Sequence, residues 1–124
     1  MTLNVSVPVV DDGIVTGKSL SVTSDADIDG LVELLSRPGS STATIEAESA
    51  VLDAHVEHGF GYLLYSGDTA FAYSHGAPES PAVIESEVGF PQGCGLPLDA
   101  FVTALHEFLS DSDTPPASVC WKEA

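Results

Sequence analysis

Turn-forming residues interrupt this chain at short intervals and so limit the length of every helix and strand that it can form. Glycine, proline and serine are concentrated at residues 36–42, 76–81, 89–97 and 110–118, and these residue types favour turns and loops. The segments between them contain no internal repeat and no apolar run of about 18 residues. We therefore expect several short elements that pack together, and neither a repeat array nor a membrane-spanning helix.

Most of the intervening segments alternate between apolar and polar residues, as half-buried strands do. The first predicted strand covers residues 3–10, where Pro8 indicates a sheet edge or an early end. Further strands are predicted in a hairpin around Asp12-Gly13 (residues 12–23), in two segments between residues 43 and 57, at 61–65 and 70–73 on either side of a turn, at 82–88 and at 118–121.

Two segments repeat their apolar residues with the spacing of a helix instead. A helix is predicted over residues 25–36, because Ser24 and Asp27 form a capping-box pattern before an apolar face. A second helix is predicted over residues 97–110, since Pro97 suits a first helical turn. The apolar stripe of this second helix is expected to be largely buried, and it consists of Leu98, Phe101, Val102, Leu105 and Phe108.

The order of these elements predicts the fold class. It indicates an α+β fold, an antiparallel-rich sheet of about five to seven strands with both helices packed on one face. A length of 124 residues is typical of one compact domain with a single core, so residues 1–124 are expected to form a single domain.

Charge is the strongest compositional signal. The chain has 3 basic and 19 acidic residues, which gives a formal net charge of −16. Nucleic acid and anionic membranes are therefore excluded as partners, because phosphate binding needs clustered cations. An acidic surface attracts basic proteins and accelerates their association. Solubility alone, or adaptation to high salt, is the alternative explanation of the same composition.

The cellular compartment follows from the N-terminus and the cysteines. Residues 1–5 lack the basic region and apolar run of a signal peptide, so a cytoplasmic protein is expected. Cys94 and Cys120 are accordingly predicted to be reduced, with a disulfide between them as the alternative.

Catalytic and metal-binding motifs are weak. His55 and His58 are separated by an odd number of strand positions, which predicts that they point to opposite faces and form no zinc pair. Asp53, His55 and Glu57 share one face and could hold a divalent cation, although a solvated polar strand face is the favoured explanation of this pattern. The nucleophile and dinucleotide motifs are missing. We therefore expect a protein without catalytic activity, metal or cofactor.

Short motifs in the C-terminal half carry a family resemblance. They are Gly61-Tyr62-Leu63 before a Tyr65-x-Gly67 turn, Gly89-Phe90-Pro91 at a strand end, the helix at residues 100–109, and Pro116-x-x-Val119-x-Trp121. With them, residues 50–121 resemble the first-described family of immunity proteins from bacterial polymorphic toxin systems, commonly encoded beside nucleic-acid deaminase toxins. Asp113-Thr114-Pro115-Pro116 departs from the family's Thr-Gly-x-Arg-Pro, so no role of that arginine carries over. Trp121 matches, and we predict that it packs against the core.

The resemblance implies an immunity protein that binds a cognate toxin domain, by implication a deaminase, and blocks it by stoichiometric capture. The acidic charge independently favours a basic, nucleic-acid-acting toxin as the partner. An acidic module for another basic protein and a small carboxylate-dependent enzyme are the alternatives. The predicted partner-binding residues lie on the polar side of the sheet and are Glu46, Glu48, Asp53, His55, Glu57, Glu85 and Glu87.

Overall fold

The computed structural model describes residues 2–11, 13–36, 42–68, 70–84 and 89–124. Within these ranges the chain forms eight strands and two helices. Their bounds are β1 Leu3–Asp11, β2 Ile14–Val22, α1 Asp25–Leu35, β3 Ala43–Glu46, β4 Ala50–Glu57, β5 Phe60–Gly67, β6 Phe71–His75, β7 Leu96–Pro97, α2 Leu98–Ser110 and β8 Cys120–Glu123.

The strands form one antiparallel sheet in the order β2-β1-β3-β4-β5-β6-β8, and the short β7 pairs with the start of β5. Tight turns explain why neighbours in sequence become neighbours in the sheet. Between β4 and β5, His58 and Gly59 have φ values of 57° and 80°, as a two-residue hairpin turn requires. The predicted α+β fold with an antiparallel sheet is thus confirmed.

The position of Pro8 explains how a central strand can contain a proline. Strand β1 lies between β2 and β3, but its pairing with β3 covers only Asn4 to Ser6. Pro8 lies beyond that segment, where β1 pairs with β2 alone. The missing N–H of proline is tolerated there because no third strand needs it.

Both helices pack on one sheet face and form the main core. Alternate strand residues, such as Val5, Ile45 and Leu52, are buried beneath the helices. Gly61 on β5 allows α2 to approach closely, since a Cβ atom there would lie 2.2 Å from Cγ of Phe101. In the described part of the chain, neither helix has the length and apolarity needed to cross a lipid bilayer.

The predicted apolar stripe of α2 is confirmed in part. Phe101, Leu105 and Phe108 are buried, whereas Val102 is half-buried. The prediction for Leu98 is wrong, because its side chain is 37% exposed. Leu98 begins the helix between the exposed residues Pro97 and Asp99, and contact of the helix with the core starts at Ala100 and Phe101.

The opposite sheet face, here called the far face, is partly covered as well. Residues 76–84 and 89–95, here called the cap segment, cross it. Val83, Phe90 and Cys94 of this segment form a second apolar cluster with Tyr62 and Leu64 of β5. Of the strand predicted at 82–88, residues 85–88 lie outside the described residues, and Val83 forms a bridge with Phe90. The far face is therefore not open over its whole width.

Two further predictions concern single residues. Cys94 is buried and Cys120 is exposed, and both are free thiols, as predicted. Trp121 packs against the main core, with its ring centroid 6.2 Å from that of Tyr65. Its Nε1 donates a hydrogen bond to the carbonyl oxygen of Pro116 at 2.9 Å, and the predicted packing role is confirmed.

Candidate partner-binding surface

Strand register divides the far face into a covered and an uncovered part. Residues paired across neighbouring strands lie on the same face, so the register identifies which side chains are neighbours. We call the uncovered part the open zone, and its residues are Asn4, Ser6, Thr44, Glu46, Val51, Asp53, Ser66 and Phe71. All of them are exposed or half-buried, so a partner can contact this zone directly.

Two predicted partner-binding carboxylates lie in the open zone. Glu46 on β3 is exposed. Asp53 on β4 is half-buried and accepts a hydrogen bond from Oγ1 of Thr44 at 3.3 Å. Burial raises the pKa of Asp53, and the Thr44 hydrogen bond opposes this shift only in part. Asp53 is therefore a carboxylate that would gain from a cationic neighbour.

The structure buries His55 instead of presenting it. Its side chain lies under the cap segment, stacked on Phe90 with ring centroids 6.1 Å apart, and it is 3% exposed. Its Nδ1 lies 3.3 Å from Oγ1 of Thr42, and its Nε2 lies 3.2 Å from Oε1 of Glu57. Strand alternation placed His55 on the correct face, but a cover supplied by residues far along the chain left no signal in that alternation.

Glu57 is partly exposed and is held by two histidines. Its second oxygen, Oε2, lies 2.8 Å from Nε2 of His58. The prediction that His55 and His58 point apart is wrong, because His58 lies in the turn after β4, where a positive φ turns it back toward Glu57. Among the described residues, no group of three or more His, Cys, Asp or Glu side chains could hold a metal ion.

Of the remaining predicted carboxylates, Glu48 is described and lies off the strands, not on the strand face predicted for it. Glu48 is exposed in the turn between β3 and β4, at the edge of the open zone. Glu85 and Glu87 fall outside the described residues.

The structure adds carboxylates that sequence patterns did not single out. Pairing of Ala50 with Gly67 places the β3–β4 and β5–β6 turns side by side, and Asp68 is exposed in the second turn. The loop after α2 joins them, because Asp113 accepts a hydrogen bond from Oγ of Ser49. We call this convergence the acidic end, and its exposed residues are Glu46, Glu48, Asp68, Asp111 and Asp113.

The pKa of Tyr65 is affected by the negative charge of the acidic end. Its hydroxyl donates a hydrogen bond to the carbonyl oxygen of Ser112 at 2.8 Å. Burial raises the pKa of Tyr65, and the carboxylates of Asp113, Asp111 and Asp68 raise it further. Carboxylates from two separate parts of the chain therefore act on one buried hydroxyl.

The two lysine residues lie on the outermost strands of the sheet. Lys18 is on β2 and Lys122 is on β8, the two outermost strands. In the described ranges, the open zone and the acidic end contain acidic side chains and no lysine or arginine. This surface is suited to a partner that supplies the positive charge itself.

Comparison with known families supplies the biological context for this surface. Residues 16–123 match the model of the family described as Immunity protein Imm1. The match covers most of the chain, confirms the resemblance found in residues 50–121 and extends it to β2. A comparison with curated proteins gave no match. The chain belongs to the Imm1 family of immunity proteins, and its function is immunity against a toxin.

Proposed function

We propose that this protein neutralises its cognate toxin by stoichiometric capture, with the open zone and the acidic end covering a basic, nucleic-acid-binding surface of the toxin. One observation carries the proposal. Carboxylates from three separate segments converge at the acidic end, although like charges repel one another and an even distribution would serve solubility better. A basic partner would offset that repulsion.

Competition for cations explains how capture would block the toxin. An enzyme that acts on DNA or RNA binds phosphates with lysine and arginine side chains. Carboxylates of the immunity protein that pair with these lysine and arginine side chains would exclude the nucleic acid. The immunity protein needs no turnover for this effect. Asp53 is a favourable contact in this mechanism, because a toxin cation beside it would lower the raised pKa and stabilise the ionised form.

The toxin is most simply a nucleic-acid deaminase. Support for this assignment is the family resemblance, because the first-described immunity family is commonly encoded beside deaminase toxins. A nuclease toxin would present a similar basic surface, so charge does not separate the two. Assays of the purified cognate toxin domain for base deamination and for strand cleavage distinguish a deaminase from a nuclease directly.

The proposed contact residues combine the sequence prediction with the structure. His55 is omitted as a contact because it is buried, and its role becomes the positioning of Glu57 through their 3.2 Å contact. The proposed contacts are Glu46, Glu48, Asp53, Glu57, Glu85 and Glu87 from the sequence, with Asp68, Asp111 and Asp113 added from the acidic end.

The test compares two variants with the same change in net charge. The first carries Glu46→Gln, Glu48→Gln, Glu85→Gln and Glu87→Gln, which changes the net charge from −16 to −12. The control carries Asp25→Asn, Asp29→Asn, Glu33→Gln and Asp99→Asn, all exposed positions on the two helices. Association with the purified toxin domain is measured by stopped flow over a range of salt concentrations.

We expect the first variant to associate about tenfold more slowly at low salt and to show a flatter salt dependence. The helix control should retain most of the wild-type rate. Unchanged association by a folded first variant would contradict the proposed surface. Equal losses in both variants would contradict it too, since only the overall charge would then matter.

A further inference from the structure

Phe71 is an exposed aromatic side chain at the start of β6. It is 54% exposed, whereas the following residue, Ala72, is buried. Among the described residues, the large apolar side chains with greater exposure are Ile14 and Ile84, and neither is aromatic. Single exposed apolar side chains are common on protein surfaces. The surroundings of Phe71 therefore decide whether it has a role.

Strand register places Phe71 at the end of a continuous row across the open zone. Phe71 pairs with Ser66, Ser66 with Val51, and Val51 with Glu46. Neighbouring strands lie about 4.8 Å apart, so Glu46 is about 14 Å from Phe71 along this row. Ser66 and Val51 are half-buried, and they lie between the exposed side chains of Phe71 and Glu46.

Carboxylates border this row on its outer side. Glu48 lies in the β3–β4 turn, and Asp68 lies in the β5–β6 turn that leads into Phe71. Aromatic residues in the centre of an interface contribute most to affinity when a polar rim excludes water around them. Phe71 and Val51, with the carboxylates on the outer side of the row, combine an apolar anchor with a charged border.

We propose that Phe71 is the anchor of the toxin interface and inserts into an apolar pocket of the toxin that is bordered by lysine or arginine side chains. The inference rests on the proposed function and assigns the chemistry of the partner at this position. The carboxylates guide the two proteins together, and burial of the phenyl ring then slows their separation.

Charge favours the toxin over a second copy of this chain as the occupant. Each copy carries a net charge of −16, and a symmetric contact through Phe71 would bring two acidic ends together. That repulsion opposes self-association. A toxin surface with a basic border around an apolar pocket satisfies both the ring and the carboxylates.

The test measures association and dissociation rates separately for Phe71→Ala and the purified toxin domain by surface plasmon resonance. We expect dissociation to be at least about 30-fold faster, as for an interface anchor, with an association rate within about twofold of wild type. Ile14→Ala is the matched control, because Ile14 is 64% exposed at the remote turn of the β1–β2 hairpin. It should leave both rates unchanged.

Phe71→Leu guards against a change in the fold, since leucine keeps an apolar side chain at the same position. It should recover a large part of the slow dissociation. Wild-type dissociation by Phe71→Ala would overturn the anchor and leave the proposed function intact. Absence of toxin binding by the wild-type protein would overturn both. A shift in the sedimentation of the protein alone on Phe71→Ala would identify a second copy as the occupant and also overturn the proposal.

Discussion

At the scale of single residues, Gly61 sets the distance between α2 and the sheet. A Cβ atom at this position would lie 2.2–2.6 Å from three atoms of the Phe101 side chain, which is far inside van der Waals contact. Gly61→Ala should destabilise the fold by about 1–3 kcal/mol, as overpacking of a core does. Urea denaturation followed by circular dichroism measures the change.

Gly30 provides the matched control for Gly61. It is exposed within α1, and a Cβ atom there would meet nothing within 4 Å, so Gly30→Ala should stabilise the protein by about 0.5–1 kcal/mol. Phe101→Ala alone should destabilise it by about 3–5 kcal/mol. Adding Gly61→Ala to that variant should then have little further effect, because the clashing ring is gone. Additive losses would contradict the proposed clash.

The raised pKa of Asp53 predicts that ionisation of this carboxyl group lowers the stability of the fold. Burial raises its folded-state pKa above the ordinary 3.8, so the native state is penalised as pH rises through that region and Asp53 ionises. Asp53→Asn should therefore raise the free energy of unfolding at pH 7, and the gain should vanish below about pH 3.8. Urea denaturation at several pH values measures this difference.

Asp27 should behave in the opposite way and serves as the control for Asp53. Hydrogen bonds from Thr23 and Ser24, the backbone N–H of Thr23 first, lower its pKa. Its stabilisation is present above pH 3.8 and is lost as pH falls through the folded pKa. Asp27→Asn should lower stability at pH 7. A loss of stability at pH 7 in Asp53→Asn as well would contradict the assignment of Asp53 as a desolvated carboxylate.

At the scale of elements, the buried hydroxyl group of Ser74 links the cap segment to strand β5. Oγ of Ser74 accepts a hydrogen bond from the Leu63 N–H at 3.1 Å and donates one to the Cys94 carbonyl oxygen at 2.7 Å. Ser74→Ala leaves both backbone groups buried without this partner, which should cost about 2 kcal/mol or more. Amide hydrogen exchange in residues 76–84 and 89–95 should accelerate, while exchange in β1 and β3 stays slow.

Ser19→Ala is the control, because Ser19 is exposed on the edge strand β2. It should leave exchange in the cap segment unchanged. Equal exchange of that segment in Ser74→Ala and the wild-type protein would show that the apolar cluster alone holds it in place.

The secondary-structure elements also show which features of the fold could be predicted from the sequence and which could not. Alternation and helical spacing are local properties, so both helices and most strands were predictable from residues close in sequence, whereas the two-residue strand β7 was not. The cover over His55 was not, because it comes from Phe90, which is 35 positions along the chain. Leu98 continues the helical spacing of its neighbours, but spacing does not show where a helix first contacts the sheet.

At the scale of the whole molecule, the acidic end is a product of topology. Glu46 and Asp53 could be assigned to one sheet face from alternation alone. Asp111 and Asp113 follow the helix predicted over residues 97–110, and nothing local in the sequence connects them to Glu48 or Asp68. The antiparallel order of β3 to β6 and the Tyr65–Ser112 hydrogen bond bring these parts together.

Stoichiometric capture is the central claim of this account, and a titration tests it most directly. Purified protein is added in steps to a fixed concentration of the toxin domain, well above the dissociation constant, and residual toxin activity is measured at each step. The account predicts a linear fall that reaches zero at one equivalent of protein. Full protection at strongly substoichiometric amounts would indicate catalytic turnover and contradict capture, as would undiminished toxin activity in the presence of excess protein.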